Sequence, residues 1–175
     1  MLNKHSSYEN HEFKFREIKN KDYNLIKQWI MKSSIRDTIL NSDYSKITRR
    51  KWYRNYKKDE KLLIYIVEEK QVYGMPIGTT AIRIIDDDVV EFMGFVIGET
   101  KAKNKGYGMK IIELTHKIIF NKINSKYSYL QVNCNDRHAV KTYISSGYKI
   151  NSFIEKEDKD IYIMRAINKN KKMDL

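Results

Sequence analysis

Residues 103–109 read Lys-Asn-Lys-Gly-Tyr-Gly-Met. Lys103 and Lys105 supply positive charge, and Gly106 and Gly108 remove side chains from the backbone. An amphipathic run follows, with Ile111, Ile112, Leu114, Ile118 and Ile119 apolar and Lys110, Glu113 and Lys117 on another face. A helix beginning there presents four unpaired N–H groups and a partial positive charge. Glycines in front of it let a bulky anion reach those N–H groups. The chemistry on offer is a grip on a phosphate or pyrophosphate. The same residues would also serve as an ordinary strand-to-helix turn.

Two nucleotide motifs are excluded by spacing. A GxxxxGK[ST] loop fails because Gly98 and Gly106 lie too far apart and no Lys-Ser/Thr pair follows. A GxGxxG fingerprint would need glycine at 111, which is Ile111. His5, His11, His116 and His138 have no metal-ligand spacing among themselves or with Cys134, so no metal is expected. Cys134, the single cysteine, excludes an intramolecular disulfide.

The elements that must carry this loop can be read from periodicity. Val89–Ile97 precedes it as an apolar strand, with the loop leading into a helix to about Asn121. Upstream, residues 11–18 alternate as a strand, and Asp22 to Lys32 reads as a helix with Leu25, Ile26, Trp29 and Ile30 on one side. Residues 33–44 form a connector. Residues 45–57 make a basic helix in which Trp52 and Tyr56, four apart, are expected to be core anchors with the cations in water. Residues 62–68 and 77–85 are strands that build an antiparallel meander with Val89–Ile97. Downstream come a strand at 127–134, a helix capped by Asn135-Asp136 and ended by Gly147, and closing strands at 148–154 and 159–166.

The loop resembles the acyl-CoA-binding motif of the GCN5-related N-acetyltransferases, [QR]-x-x-G-x-[GA]. Lys103 stands at the Gln/Arg position, where it keeps a cation but loses a bidentate donor; Gly106 and Gly108 match. The element order β-α-α-β-β-β-α-β-α-β-β is similar to that family from end to end. So is the segment Asn135–Tyr148, in which Ala139, Tyr143, Gly147 and Tyr148 keep the spacing of N-x-x-A-x-x-x-Y-x-x-x-G-[FY] and Asn135 is shifted by one residue. The style is that of the ribosomal-protein N-terminal, spermidine and amino-sugar acetyltransferases. The resemblance implies an α+β fold: one domain with a mixed, mostly antiparallel sheet of six to seven strands and about four flanking helices. The domain is expected over 11–167, with a flexible N-terminus at 1–10 and a basic tail at 168–175.

The activity implied is transfer of an acetyl group from acetyl-CoA to a primary amine of a small molecule or a protein N-terminus, by direct attack in a ternary complex. Lys103, Asn104, Lys105, Gly106, Tyr107, Gly108 and Met109 would hold the pyrophosphate. The edge of Phe95, Val96 and Ile97 would pair with the pantetheine amides as an added strand does. A bulge near Gly94 would open that slot, and the Val96 N–H is a candidate oxyanion donor. Asn135 is a further candidate cofactor contact. Tyr143 would protonate the departing thiolate, against the alternative of a core tyrosine. Glu91 is the candidate base for the amine, against an exposed strand-end glutamate; His138 or water are alternatives.

At 175 residues, with 41% hydrophobic and 12% aromatic content, one globular domain is expected. No apolar run is long enough for a membrane span. The first thirteen residues lack the apolar core of a secretion signal, so a cytoplasmic location is expected. A net charge of +12 suits an anionic cofactor and slightly favours an anionic acceptor. Nucleic acid is not expected as a partner, and a monomer or homodimer is. The contrasting reading is a non-catalytic acyl-CoA-binding or nucleic-acid-binding module.

Overall fold

The computed structural model describes residues 6–32, 49–157 and 159–171. Its strands are β1 (Tyr8–Glu9), β2 (Phe13–Glu17), β3 (Leu62–Glu69), β4 (Met75–Ile84), β5 (Val89–Ile97), β6 (Tyr127–Asn133), β7 (Lys149–Ile154) and β8 (Ile161–Ile167). Its α-helices are α1 (Tyr23–Met31), α2 (Arg49–Lys58), α3 (Tyr107–His116) and α4 (Arg137–Ser145). The connector 33–44 and the first residues of the expected second helix lie outside the described residues.

All eight strands form one sheet in the order β1-β2-β3-β4-β5-β6-β8-β7. Every pairing is antiparallel except β5 with β6. A two-residue strand is too short to read from alternation, which is why eight strands stand where six to seven were expected. Tyr8 packs edge-on against Tyr65, with ring centroids 5.9 Å apart.

The run LLIYIV in β3 is continuous because both faces of the sheet are covered there. Leu63, Tyr65 and Val67 enter a core shared with α3, whose Ile111, Ile112 and Leu114 are buried. Ile66 turns to a second core with Ile26, Trp29 and Ile30 of α1 and Trp52 and Tyr56 of α2. Trp52 and Tyr56 are thus anchors, and Arg49, Arg50 and Arg54 face solvent. The α1 helix is fixed by a buried ion pair: Asp22 accepts from the Arg16 guanidinium (2.7 and 3.0 Å) and the Lys19 N–H (2.7 Å).

The expected single helix to Asn121 changes character at its end. After His116, residues Lys117–Lys122 form a π-helical turn, marked by the Ile123 N–H donating to Ile118 O at 2.9 Å. Buried Asn168 closes this turn, its side chain donating to Phe120 O (3.1 Å) and Ser125 O (3.0 Å). Asn168 is thus part of the packed structure.

Candidate active site

The β5–β6 pairing has only three rungs: Val89↔Tyr127, Val90↔Ser128 and Glu91↔Tyr129. Beyond Glu91 the two strands part. Residues Phe92–Ile97 continue against β4 alone, and Leu130–Asn133 continue against β8. At ~3.3 Å per residue the freed edge of β5 is about 20 Å long. A sheet with one open seam in its middle can accept an extended ligand as a strand.

A bulge in β5 shapes this edge. The register to β4 slips between Thr79 and Ala81, leaving Gly94 and Phe95 opposite Thr80. Gly94 has φ +59° and receives a 2.7 Å hydrogen bond from the Thr79 hydroxyl on its carbonyl. The slip reverses the side-chain alternation. Before it, Val90 and Phe92 face the α3 core; after it, Phe95 and Ile97 do, while Val96 turns to the α1–α2 core. The Val96 carbonyl points at β4, since a Cβ on Gly78 would lie 2.1 Å from it. The Gly98 N–H also bonds to β4, at Ile77 O (2.9 Å). By alternation the main-chain groups of Ile97 face the open seam. The Val96 N–H, the oxyanion donor suggested from sequence, lies on the β4 side.

The loop from β5 delivers α3 beside the seam. Lys103 is half-buried; Asn104 and Lys105 are exposed. Asn104 and Gly106 take left-handed φ values of 58° and 74°, so the chain turns sharply into the helix. Gly106 is the N-cap, no side chain caps it, and the first turn holds no acid. The N–H groups at this helix head are thus the kind an anion can reach. Tyr107 is buried against Phe13 at 5.2 Å and anchors the helix, while the Met109 side chain is exposed. Gly108 faces α4: a Cβ there would meet Thr142 Cγ2 at 3.3 Å and Phe95 Cζ at 3.9 Å. Helix head, β5 and α4 therefore converge on one residue.

No residue of α4 is fully buried. Its inner face, Ala139, Val140 and Tyr143, only half-covers the core, as Phe95 and Ile97 do opposite. Tyr143 lies among Phe92 (6.2 Å), Phe95 (6.4 Å) and Tyr148 (5.9 Å), and its hydroxyl has no hydrogen-bond partner among the described residues. Burial, helped by Asp136, pushes its pKa well above the ordinary tyrosine value. Asp136 caps α4 by accepting from the Ala139 N–H at 2.9 Å. Asn135 precedes the helix and is exposed, with its N–H donating to Asn133 Oδ1. The one-residue shift in sequence is thus a change of capping residue.

Glu91 stands apart from this group. It sits on the last rung before the strands part and faces the side of α1 and α2, opposite Arg83 on β4. Its carboxylate accepts a 3.3 Å hydrogen bond from Gln131. An open cavity of about 300 Å³ lies there, lined by Ile85, Val89, Tyr129, Gln131 and Ile163 besides Glu91. The sheet therefore separates Glu91 from Tyr143. Thr142 and Gln131 are not singled out by the sequence. Thr142 precedes a candidate tyrosine, and Gln131 alternates with Tyr129, but only strand and helix pairing gives them neighbours. His138 is exposed on the first turn of α4. Partial burial and Asp160 raise the Cys134 thiol, keeping it protonated. Among the described residues no group of His, Cys, Asp and Glu could hold a metal ion, and no helix is long and apolar enough to cross a membrane.

No protein-family model matches this sequence, and no curated protein matches it. Solved structures do match. Spermidine N-acetyltransferase from Vibrio cholerae, in complex with CoA and spermine, superposes with a TM-score of 0.78 at 19% identity, over 91% of this chain and 97% of that one. Ribosomal-protein-S5-alanine acetyltransferase from Vibrio fischeri gives 0.76 at 16%, over 96% and 100%. AAC(6')-Ib, solved with ribostamycin and coenzyme A, gives 0.72 at 15%, over 93% and 99%. The chain thus has the α+β fold of the GCN5-related N-acetyltransferases, here with a mixed, mostly antiparallel eight-stranded sheet.

Proposed function

We propose that the protein is an acetyl-CoA-dependent N-acetyltransferase acting on a primary amine. The observation that carries this reading is the parting of β5 from β6 directly beside an uncapped, glycine-led helix head. Relatives in fold bind CoA together with spermine or with ribostamycin, which supports a ternary complex.

In this reading the pyrophosphate rests on the N–H groups of Tyr107, Gly108 and Met109, with Lys103 and Lys105 adding charge. The pantetheine arm lies along the freed edge of β5 and pairs with Ile97. Donor and acceptor enter from opposite faces of the sheet, the acceptor from the Glu91 side. The amine nitrogen attacks the thioester carbonyl; a C–N bond forms and the C–S bond breaks. The amine proton leaves toward Glu91, through water, because Glu91 lies about 13–16 Å along the strand from Phe95–Val96. A lysine-like amine costs about 4 kcal/mol to deprotonate at pH 7, and an α-amine about 1.4 kcal/mol. The thiolate takes a proton from the Tyr143 hydroxyl, which its raised pKa keeps protonated; solvent restores it. Asn135, exposed ahead of α4, is left with no direct part.

A nucleic-acid module is the less favoured reading, because Trp52 and Tyr56 are buried and offer no stacking platform. The deciding experiment measures thiol release from acetyl-CoA with a panel of amines, alongside calorimetric titration of CoA. CoA binding with amine-dependent thiol release is expected. Binding without turnover would leave an acyl-CoA-binding module, and no binding would end the proposal.

A further inference from the structure

β7 ends the sheet, and all six of its residues are exposed. Ile150 is 48% exposed, Phe153 52% and Ile154 40%. Of the exposed large hydrophobic residues, Ile144, Ile150, Phe153, Ile154 and Ile167 gather on α4, β7 and β8, at this one end of the molecule. The opposite edge is a two-residue strand that offers little to pair with. β7 carries neither proline nor a charge between Lys149 and Glu155, so of the common devices that keep an edge from pairing it has only a one-residue bulge.

We propose that β7 is a self-complementary interface at which a second copy of this chain adds antiparallel across a two-fold axis. The bulge in the strand fixes the register. Ile150 pairs with Met164 and Ser152 with Ile163, leaving Asn151 extra. Because paired residues share a face, Ile150 and Phe153 both lie on the face of the main core, Phe153 against Tyr162 at 6.0 Å. Lys149, Ser152 and Ile154 lie on the other face. Only an axis between Asn151 and Ser152 sets like faces together along the whole strand. It puts Ile150 of each copy across from Phe153 of the other, an apolar pair made twice. It also sets Lys149 of each copy across from Ile154 of the other, on the same face, so the lysine stem covers apolar surface and no like charges meet.

The test is sedimentation equilibrium of the full chain over a concentration series. A dimer is expected for the native protein. Phe153→Lys and, separately, Ile150→Lys should each raise its dissociation constant at least tenfold, with unchanged circular dichroism because both side chains are exposed. Ile154→Lys, which sets a second lysine across from Lys149, should weaken the dimer more than Ile154→Glu, which sets an opposite charge there. In a Cys134→Ser background, Ser152→Cys should form a covalent dimer on mild oxidation, since the axis sets the two sulfurs within disulfide reach. A native protein that stays monomeric to the highest concentration, or a dimer indifferent to Phe153→Lys and Ile150→Lys, overturns the proposal. Cross-linking absent from a dimer that the lysine variants do weaken overturns the register.

Discussion

Gly108 is the residue at which three elements meet, so it gives the sharpest single-site tests. Gly108→Glu places a carboxylate at the helix head and crowds Thr142, whose methyl would lie only 3.3 Å from the new Cβ. CoA affinity should fall on the order of a hundredfold, about 2.7 kcal/mol, as read by calorimetry; unchanged affinity would remove the phosphate site. Tyr143→Phe should keep CoA affinity and lower turnover on the order of tenfold or more, whereas equal losses in both would make the tyrosine structural. His116 adds a pH prediction independent of any ligand. Its ring packs between Phe120 and Tyr148, each 5.1 Å away, and its Nε2 has no partner. Burial drives its pKa down from 6.5 to about 4. The unfolded chain then takes up the proton first, so stability is full above pH 6.5 and is lost as the pH falls from there to about 4. The loss is about 3 kcal/mol. His116→Phe should flatten urea-derived stability over that window.

At the scale of elements, the bulge is the feature that turns an ordinary strand into half a binding slot. Gly94 at φ +59° holds it, and a Cβ there would lie 3.2 Å from the Ala81 Cβ. Gly94→Ala should destabilise the fold by about 1–2 kcal/mol, seen as a melting temperature lower by several degrees, and should weaken CoA binding as the slot narrows. The strands and helices themselves are legible in the sequence because packing leaves a mark: a short run of β-branched and aromatic residues in LLIYIV, and a 3.6 period from Ile111 to Ile119. The helix head is legible because its glycines act locally. The π-helical turn, the strand at Tyr8–Glu9 and the reversal of faces after Gly94 are not, since each depends on a partner distant in sequence. For the same reason the spacing of Glu91 and Tyr143 gives no sign that the sheet divides them. Asn135 and Asp136 cannot be ranked from sequence, because both residue types make good caps; the backbone decides for Asp136.

At the scale of the molecule, the sheet has two parts, β1–β5 and β6–β8–β7, joined by three parallel rungs and by the packing of α3 over both. The first part is closed on both faces by α1, α2 and α3; the second leaves α4 only half-buried. Acid should act on the whole through buried carboxylates as well as His116. Burial alone would raise Asp22 and Glu69. Hydrogen bonds from Arg16 and Lys19 to the first, and from the 71–73 main chain to the second, outweigh it and hold both low. Their contribution is complete above the ordinary carboxylate range and lost as the pH falls through the depressed folded values.

The short β5–β6 seam has a thermodynamic consequence. A thioester cofactor laid between those strands would act as a ninth strand, restoring the hydrogen-bonded ladder that the polypeptide leaves incomplete. Such a ligand should stabilise the fold with the logarithm of its concentration, by about 2.7 kcal/mol at a hundredfold excess over its dissociation constant, and raise the melting temperature accordingly. Amide deuteration at Phe95–Ile97 and along α4 should slow as local opening is suppressed, and β3 and β4, which open only with the whole fold, should slow by the same stabilisation.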